Sequence, residues 1–163
     1  MAKSGKKQIQ QSASKPNSAL KKLNALVGEW KMEAVKEQFK LEGQTTFQWF
    51  EDGAFLLQRS DFKPAELPPA ATMIIGGDES SETFGVLYYD SRGVPRTLQM
   101  SLTDGVWKLW RDAPGFSQRF TGTFSKDGNV ITGRWEKSLD GSNWENDFDL
   151  TYTKVKSSIT GKK

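Results

Sequence analysis

The stretch Leu23–Ala34, LNALVGEWKMEA, contains the change of pattern on which the fold depends. Before Gly28 the apolar residues recur at helical spacing, which predicts one short amphipathic helix over Ser18–Val27. Glycine takes the left-handed backbone conformation that commonly ends a helix. From Trp30 onward apolar and polar residues alternate, which indicates a half-buried β-strand. The chain is therefore expected to pass directly from a helix into its first strand.

Alternating segments continue to the end of the chain, and turn signals separate them. Aspartate followed by glycine suits tight hairpin turns because both residues tolerate positive φ angles. No spacing typical of a βαβ unit is present, so the strands are expected to be antiparallel and in up-and-down order. Closing such a sheet removes its two free edges. The sequence thus predicts an all-β fold, a single antiparallel up-and-down β-barrel of about ten strands with one short N-terminal helix. Four Asp-Gly pairs mark the turns: Asp52-Gly53, Asp104-Gly105, Asp127-Gly128 and Asp140-Gly141.

The charge is unevenly distributed along the 163 residues. The net charge is +3, yet the part from Leu23 to Thr153 holds 13 basic and 20 acidic residues. The positive excess lies in the lysines that flank this part. Residues 1–17 offer almost nothing to bury and are predicted to be a disordered basic tail. We expect the barrel domain over residues 18–155 and a second basic tail over 156–163.

Two residue types are absent, and their absence excludes several kinds of chemistry. The chain has no cysteine and no histidine. Disulfides, thiol catalysis and nucleophiles activated by histidine are therefore excluded, and the commonest metal ligand is missing. We expect no catalytic residue, no metal site and no cofactor. No apolar run reaches the roughly 18 residues of a membrane span, and no apolar segment typical of a secretory signal follows the first lysines. A cytoplasmic location is expected.

Gly28 and Trp30, one residue apart at the head of the first strand, resemble the Gly-x-Trp signature of lipocalin-like (calycin) barrels. In that superfamily the tryptophan packs across the closed end of the barrel, often against an arginine from a late strand. The resemblance implies that Gly28, Trp30 and Arg134 close the barrel, with Arg119 as the alternative arginine. The segment Gly133–Lys154, GRWEKSLDGSNWENDFDLTYTK, is also similar to the C-terminal end of bacterial lipocalin-like proteins of unassigned function.

The sequence departs from the better-known branches of this superfamily. The Thr-Asp-Tyr motif of secreted lipocalins is missing, and only Tyr88-Tyr89-Asp90 resembles it. Fatty-acid-binding proteins insert a helix pair after the first strand and carry an Arg-x-Tyr clamp, whereas here Leu150 stands two residues before Tyr152. Haem-binding barrels need an axial histidine, which this chain lacks.

Polar residues on otherwise apolar strand faces are candidate ligand contacts. A charged group inside a barrel needs a partner, because burying it alone is costly. A ligand carboxylate or phosphate would pair with Arg59 or Arg96. Alternatively these side chains point outward, or they pair internally with Asp61 or Glu136. The predicted ligand-binding residues are Arg59, Arg96, Lys108, Trp110, Gln118 and Tyr152.

Three functional hypotheses follow. The first is a binding module that holds a small, mostly apolar ligand, which could be anionic, inside the barrel. Six tryptophans could line such a cavity or simply form the core. The second is an enzyme of the same fold that uses an acid–base residue in the cavity. The third is an interaction protein whose basic tails contact nucleic acid or an anionic membrane, although the acidic body makes nucleic acid an unexpected partner.

Overall fold

The computed structural model describes residues 18–63, 70–77 and 82–156. They form one closed, ten-stranded antiparallel β-barrel preceded by a short helix, which confirms the predicted fold class. The predicted basic tails lie outside the described residues, apart from Lys156.

Every strand of the barrel pairs with the next strand along the chain, and β1 pairs with β10 to close the sheet. The register at this seam places Trp30 opposite Lys154 and Val35 opposite Asp149. The strands are β1 (Gly28–Lys36), β2 (Phe39–Phe50), β3 (Phe55–Lys63), β4 (Ala70–Gly76), β5 (Phe84–Asp90), β6 (Pro95–Thr103), β7 (Val106–Arg111), β8 (Ser117–Phe124), β9 (Val130–Ser138) and β10 (Glu145–Lys154).

The two ends of the barrel differ, because only one of them carries the N-terminal helix. Asp104 and Gly105 join β6 to β7 with φ angles of 53° and 74°. Positive φ at both central residues is the requirement of a type I′ hairpin turn, so the sequence signal is confirmed. This hairpin lies at the end of the barrel that carries the N-terminal helix, which we call the closed end.

The N-terminal helix is a 3₁₀ helix over Ser18–Ala25. Leu20 and Leu23 in this helix and Leu26 directly after it are 2%, 0% and 0% exposed. Their spacing of three matches the three residues per turn of a 3₁₀ helix, so one row of leucines faces the barrel. Gly28 has a positive φ of 128°, which favours glycine, but it begins β1 and does not end the helix, which stops at Ala25.

Trp30 seals the closed end. Its side chain is fully buried, and its indole Nε1 donates a hydrogen bond to the carbonyl of Leu26 at 2.7 Å. The ring meets Phe124 edge to face, with ring centroids 6.4 Å apart. The cation above the indole belongs to Lys154, whose Nζ lies 5.1 Å from the ring centroid.

The prediction that Arg134 stacks on Trp30 is wrong. Arg134 is exposed and forms an ion pair with Asp149, with 2.6 Å between Nε and Oδ1. Its neighbours Gly133 and Trp135 occupy the inner face of β9, so alternation directs Arg134 outward. The alternative arginine, Arg119, is also elsewhere, because it pairs with Glu136 at 2.7 Å.

Four aromatic side chains fill the barrel above Trp30, and we call them the aromatic floor: Phe47, Trp107, Phe120 and Tyr152. The Trp107 ring lies 5.8 Å from Phe47, 5.0 Å from Phe120 and 5.6 Å from Tyr152 between centroids. Trp107 comes from β7 and Phe47 from β2, so these contacts span the barrel.

Two opposed glycines make room for the floor. Gly122 on β8 faces Gly133 on β9. A Cβ on Gly122 would lie 2.8 Å from the Phe120 ring, and a Cβ on Gly133 would overlap the same ring. The Phe120 ring therefore lies flat against backbone, where any side chain would displace it.

Candidate functional site: the mouth of the barrel

The inner-face side chains are covered to different degrees at the two ends of the barrel. Near the closed end, Trp30, Leu56 and Ile75 are fully buried, while Trp49 and Phe124 are partly buried. At the opposite end, which we call the mouth, the outermost inner-face apolar residues are only partly buried. Its apolar residues are Leu41, Phe62, Tyr88, Trp135 and Phe148.

Two of the predicted ligand residues meet at the mouth. Arg96 lies on the inner face of β6 together with Leu98 and Met100, as the alternation predicts. Its Nη1 donates a hydrogen bond of 2.6 Å to Oε1 of Gln118 on β8. Its guanidinium carbon lies 5.2 Å from the Phe116 ring centroid. The structure thus brings Arg96 and Gln118 together, whereas their role in ligand binding stays a prediction.

Arg111 joins this pair, and the sequence reasoning missed it. Arg111 is the last residue of β7 and the cross-strand partner of Gln118. Its Nη1 donates a hydrogen bond of 2.8 Å to the Phe116 carbonyl. The signal that could have found it is the alternation of Trp107, Leu109 and Arg111, which places all three on the inner face.

Arg59 lies on the outside of the barrel, so its predicted inward orientation is wrong. Leu56 and Gln58 are the inner-face residues of β3, and Arg59 is exposed. The alternation of Phe55, Leu57 and Arg59 in the sequence predicts one shared inward face, whereas in the structure Phe55 and Arg59 are both exposed. Phe55 is 40% exposed, and its ring lies against the outer side of Gly76, where a Cβ would approach it to 2.8 Å.

Lys108 and Trp110 also lie on the outer face, contrary to prediction. Lys108 is exposed and Trp110 is partly buried. Trp107, which precedes Lys108, and Leu109, which lies between the two, are both buried inside the barrel. Tryptophan occurs on both faces of β7, so apolar character alone does not reveal which face is inward. Neither residue is placed to contact a ligand inside the barrel.

Tyr152 lies inside the barrel, as predicted, within the aromatic floor. It is 4% exposed, and burial raises the pKa of its hydroxyl, while a side-chain hydrogen bond with Gln58 lowers that pKa. Gln58 is 2% exposed and donates from Nε2 to Thr45 Oγ1 at 3.2 Å and to Ser60 Oγ at 3.3 Å. The interior beside the floor is therefore partly polar.

Two buried polar atoms near the floor have no hydrogen-bond partner in the part of the chain that the structure describes. They are Gln58 Oε1 and Trp107 Nε1. Leaving such atoms unpaired costs about 1–3 kcal/mol each. Trp107 is one of the six tryptophans that the sequence offers as cavity or core residues, whereas Gln58 was not singled out from the sequence.

A second polar cluster holds the hairpin between β5 and β6 at the mouth. The carboxylate of Asp90 accepts hydrogen bonds from the Tyr88 hydroxyl at 2.9 Å and from Arg92 Nη2 at 2.7 Å. The Arg92 guanidinium is the main cause that lowers the pKa of Asp90 to about 2. Burial, followed by the hydrogen bond to Asp90, raises the pKa of Tyr88 to about 12. Both groups therefore keep one protonation state through the neutral range.

The solved structures that are similar to this barrel include the following two. The crystal structure of Rv2717c from M. tuberculosis matches with a TM-score of 0.64 at 14% sequence identity, covering 87% of this chain and 100% of that chain. The S-type phycobiliprotein lyase CPES from Guillardia theta matches with a TM-score of 0.56 at 11% identity, covering 84% of this chain and 92% of that chain. No family model matches the sequence, and no curated protein matches it.

These likenesses establish the class of fold. The chain has the lipocalin-like, calycin-type β-barrel fold that both structures share. At this level of identity the likeness concerns the fold and leaves the ligand and the chemistry open. Among the described residues no helix is both long and apolar enough to cross a membrane.

Proposed function

We propose that the protein binds a small, mostly apolar ligand in the half of the barrel between the aromatic floor and the mouth. The observation that carries the proposal is the group of partly buried aromatic residues on the inner face at the mouth: Phe62, Tyr88, Trp135 and Phe148. Aromatic and aliphatic walls with a few polar groups are typical of small-molecule sites.

The two similar structures support this proposal only at the level of fold. One of them is a phycobiliprotein lyase, and a barrel of this class in that protein is compatible with a small-molecule ligand here. We further infer that the chain belongs to the bacterial lipocalin-like proteins that the segment Gly133–Lys154 resembles. The cytoplasmic location stays a prediction.

Native mass spectrometry of the protein purified from its own cells tests the proposal. We expect a retained small molecule that dissociates on denaturation. Binding of the uncharged fluorescent probe N-phenyl-1-naphthylamine to ligand-free protein gives an independent measurement. Ala34 lies on the inner face of β1 between Leu41 and Leu150. Ala34→Phe fills this half of the barrel and should weaken probe binding at least tenfold.

The matched control is Ala54→Phe in the exposed turn between β2 and β3, which should leave probe binding unchanged. Both variants need the melting temperature of a folded barrel. Failure of the wild-type protein to bind the probe and to retain any small molecule would overturn the proposal. Equal binding by the Ala34→Phe variant would place the site outside the barrel.

A further inference from the structure

Two arginines at the mouth share one environment, and we call them the arginine pair, Arg96 and Arg111. Arg96 donates to the side-chain amide of Gln118, and Arg111 is the cross-strand partner of that same residue. Both guanidiniums also contact Phe116, Arg96 through the ring and Arg111 through the carbonyl. The two positive charges therefore flank a single residue on the inner face of β8.

The arginine pair has no counter-ion among the described residues. Three other arginines each have a carboxylate: Arg92 at 2.7 Å, Arg119 at 2.7 Å and Arg134 at 2.6 Å. Within residues 18–63, 70–77 and 82–156, Arg96 and Arg111 instead donate to neutral oxygens and form no ion pair. Each guanidinium carries five N–H donors, so most of these donors have no acceptor in that part of the chain. An anion within reach of both guanidiniums would accept charge-assisted hydrogen bonds from these donors.

The wall of the barrel becomes apolar immediately below the arginine pair. The next inner-face residues are Leu98 on β6, Leu109 on β7 and Phe120 on β8, which are 4%, 2% and 1% exposed. An anion bound by the pair would therefore lie at the mouth end of an apolar surface that extends to the aromatic floor. This arrangement fits a ligand with a charged head and an apolar body.

We propose that the ligand is an anionic amphiphile, whose carboxylate or phosphate monoester head is bound by Arg96 and Arg111 while its apolar part extends into the barrel. This inference rests on the proposed function and specifies the chemical class of the ligand. The orientation is set by the structure: the head lies at the mouth, and the apolar part points toward Leu98 and Leu109. Gln118 holds Arg96 in place through its Oε1.

Isothermal titration calorimetry with three probes of equal chain length tests this inference. The probes are dodecanoate, dodecyl phosphate and the uncharged dodecan-1-ol. We expect at least one anionic probe to bind the wild-type protein tenfold or more tightly than dodecan-1-ol, because charge-assisted hydrogen bonds to arginine are strong. A preference for dodecanoate over dodecyl phosphate, or the reverse, identifies which head group the site takes.

Variants of the arginine pair then show which residues cause the preference for an anionic probe over dodecan-1-ol. In the double variant Arg96→Gln/Arg111→Gln, the preference for the anion should fall to threefold or less, while the affinity for dodecan-1-ol stays unchanged. Arg59→Gln is the matched control, because it removes the same charge from an exposed arginine on the outer face of β3. This control should keep the full preference. Circular dichroism and melting curves establish that each variant is folded.

The outcomes separate the two proposals. If the wild-type protein binds all three probes with equal affinity, the inference about the anion is overturned and the proposed function stands. If Arg59→Gln lowers the preference as much as the double variant does, the effect comes from overall charge and the arginine pair is not the site. If none of the probes binds, the proposed function itself is contradicted.

Discussion

Trp30 connects three parts of the molecule through one side chain. Its indole is buried beneath the 3₁₀ helix, donates to the Leu26 carbonyl and contacts Phe124. Lys154, from the last strand, places its ammonium over the same ring. A single residue of β1 thus holds the helix, β8 and β10 together at the closed end.

Trp30→Ala is expected to lower the free energy of unfolding by about 3–5 kcal/mol, the usual cost of deleting a large buried aromatic side chain. Trp30→Ala and Lys154→Ala should be non-additive, because the two side chains touch. Trp30→Ala and Arg134→Ala should be additive, because Arg134 is paired with Asp149 on the outer surface. Urea denaturation of the two double-mutant cycles measures this difference. Equal coupling in both cycles would contradict the assignment of Lys154 as the partner.

At the scale of elements, the hairpin between β5 and β6 is held by an ion pair between the buried carboxylate of Asp90 and the exposed side chain of Arg92. The side chain of Asp90 has 0% relative exposure, and it accepts bonds from Tyr88, from the Arg92 guanidinium and from the Arg92 backbone N–H. Removing the charge of Asp90 would leave these donors without a strong acceptor. The geometry of the mouth therefore depends on the ionisation of one carboxyl group.

The stability contributed by Asp90 should depend on pH in the acid range. Folding lowers the pKa of Asp90 from 3.8 to about 2, so the contribution is complete above the unfolded pKa and is lost as the pH falls through the folded one. The difference in melting temperature between wild type and Asp90→Asn should be constant from about pH 7 to about pH 5 and should shrink between about pH 4 and about pH 2. Asp61→Asn, at an exposed position without an ion pair among the described residues, is the control and should show no such difference. A difference that persists unchanged at about pH 2 would contradict the assigned role.

At the scale of the whole molecule, the closed end depends on the 3₁₀ helix. Deleting residues 1–17 should leave the melting temperature nearly unchanged, because their composition offers little to bury. Deleting residues 1–23 also removes Leu20 and Leu23, which are almost fully buried. Each such leucine contributes roughly 1.5–3 kcal/mol, so this longer deletion should lower the melting temperature strongly. Differential scanning calorimetry compares the two, and equal melting temperatures would show that the helix does not stabilise the barrel.

The fold could be predicted from the sequence because its signals are local. A period of two, Asp-Gly turns and the glycine before Trp30 each act over a few residues, and together they specify an up-and-down barrel. The candidate site was predicted only in part, since its residues meet through the register of three strands. Arg96 and Gln118 were found because their strands alternate clearly.

Other site residues were assigned to the wrong face for a physical reason. β3 contains consecutive buried residues at Leu56, Leu57 and Gln58, so its alternation has no clear phase. β7 carries tryptophans on both faces, so Lys108 was placed inside and Arg111 was overlooked. Some aromatic residues lie on the outer face, such as Phe55 over Gly76. Because of them, apolar residues occur on both faces of a strand, and the alternation of apolar and polar residues no longer shows which face is inward.

The seam between β1 and β10 also determines the order in which the barrel can be built during translation. Nine of its strand pairs join neighbours in the chain and can form as the ribosome releases them, whereas the pairing of Trp30 with Lys154 must wait for the last strand. Until residue 154 emerges, the nascent chain is an open sheet with two unprotected edges, the kind of surface on which chains associate wrongly. The interval between synthesis of β1 and synthesis of β10 is thus the period in which the nascent chain is most open to wrong association.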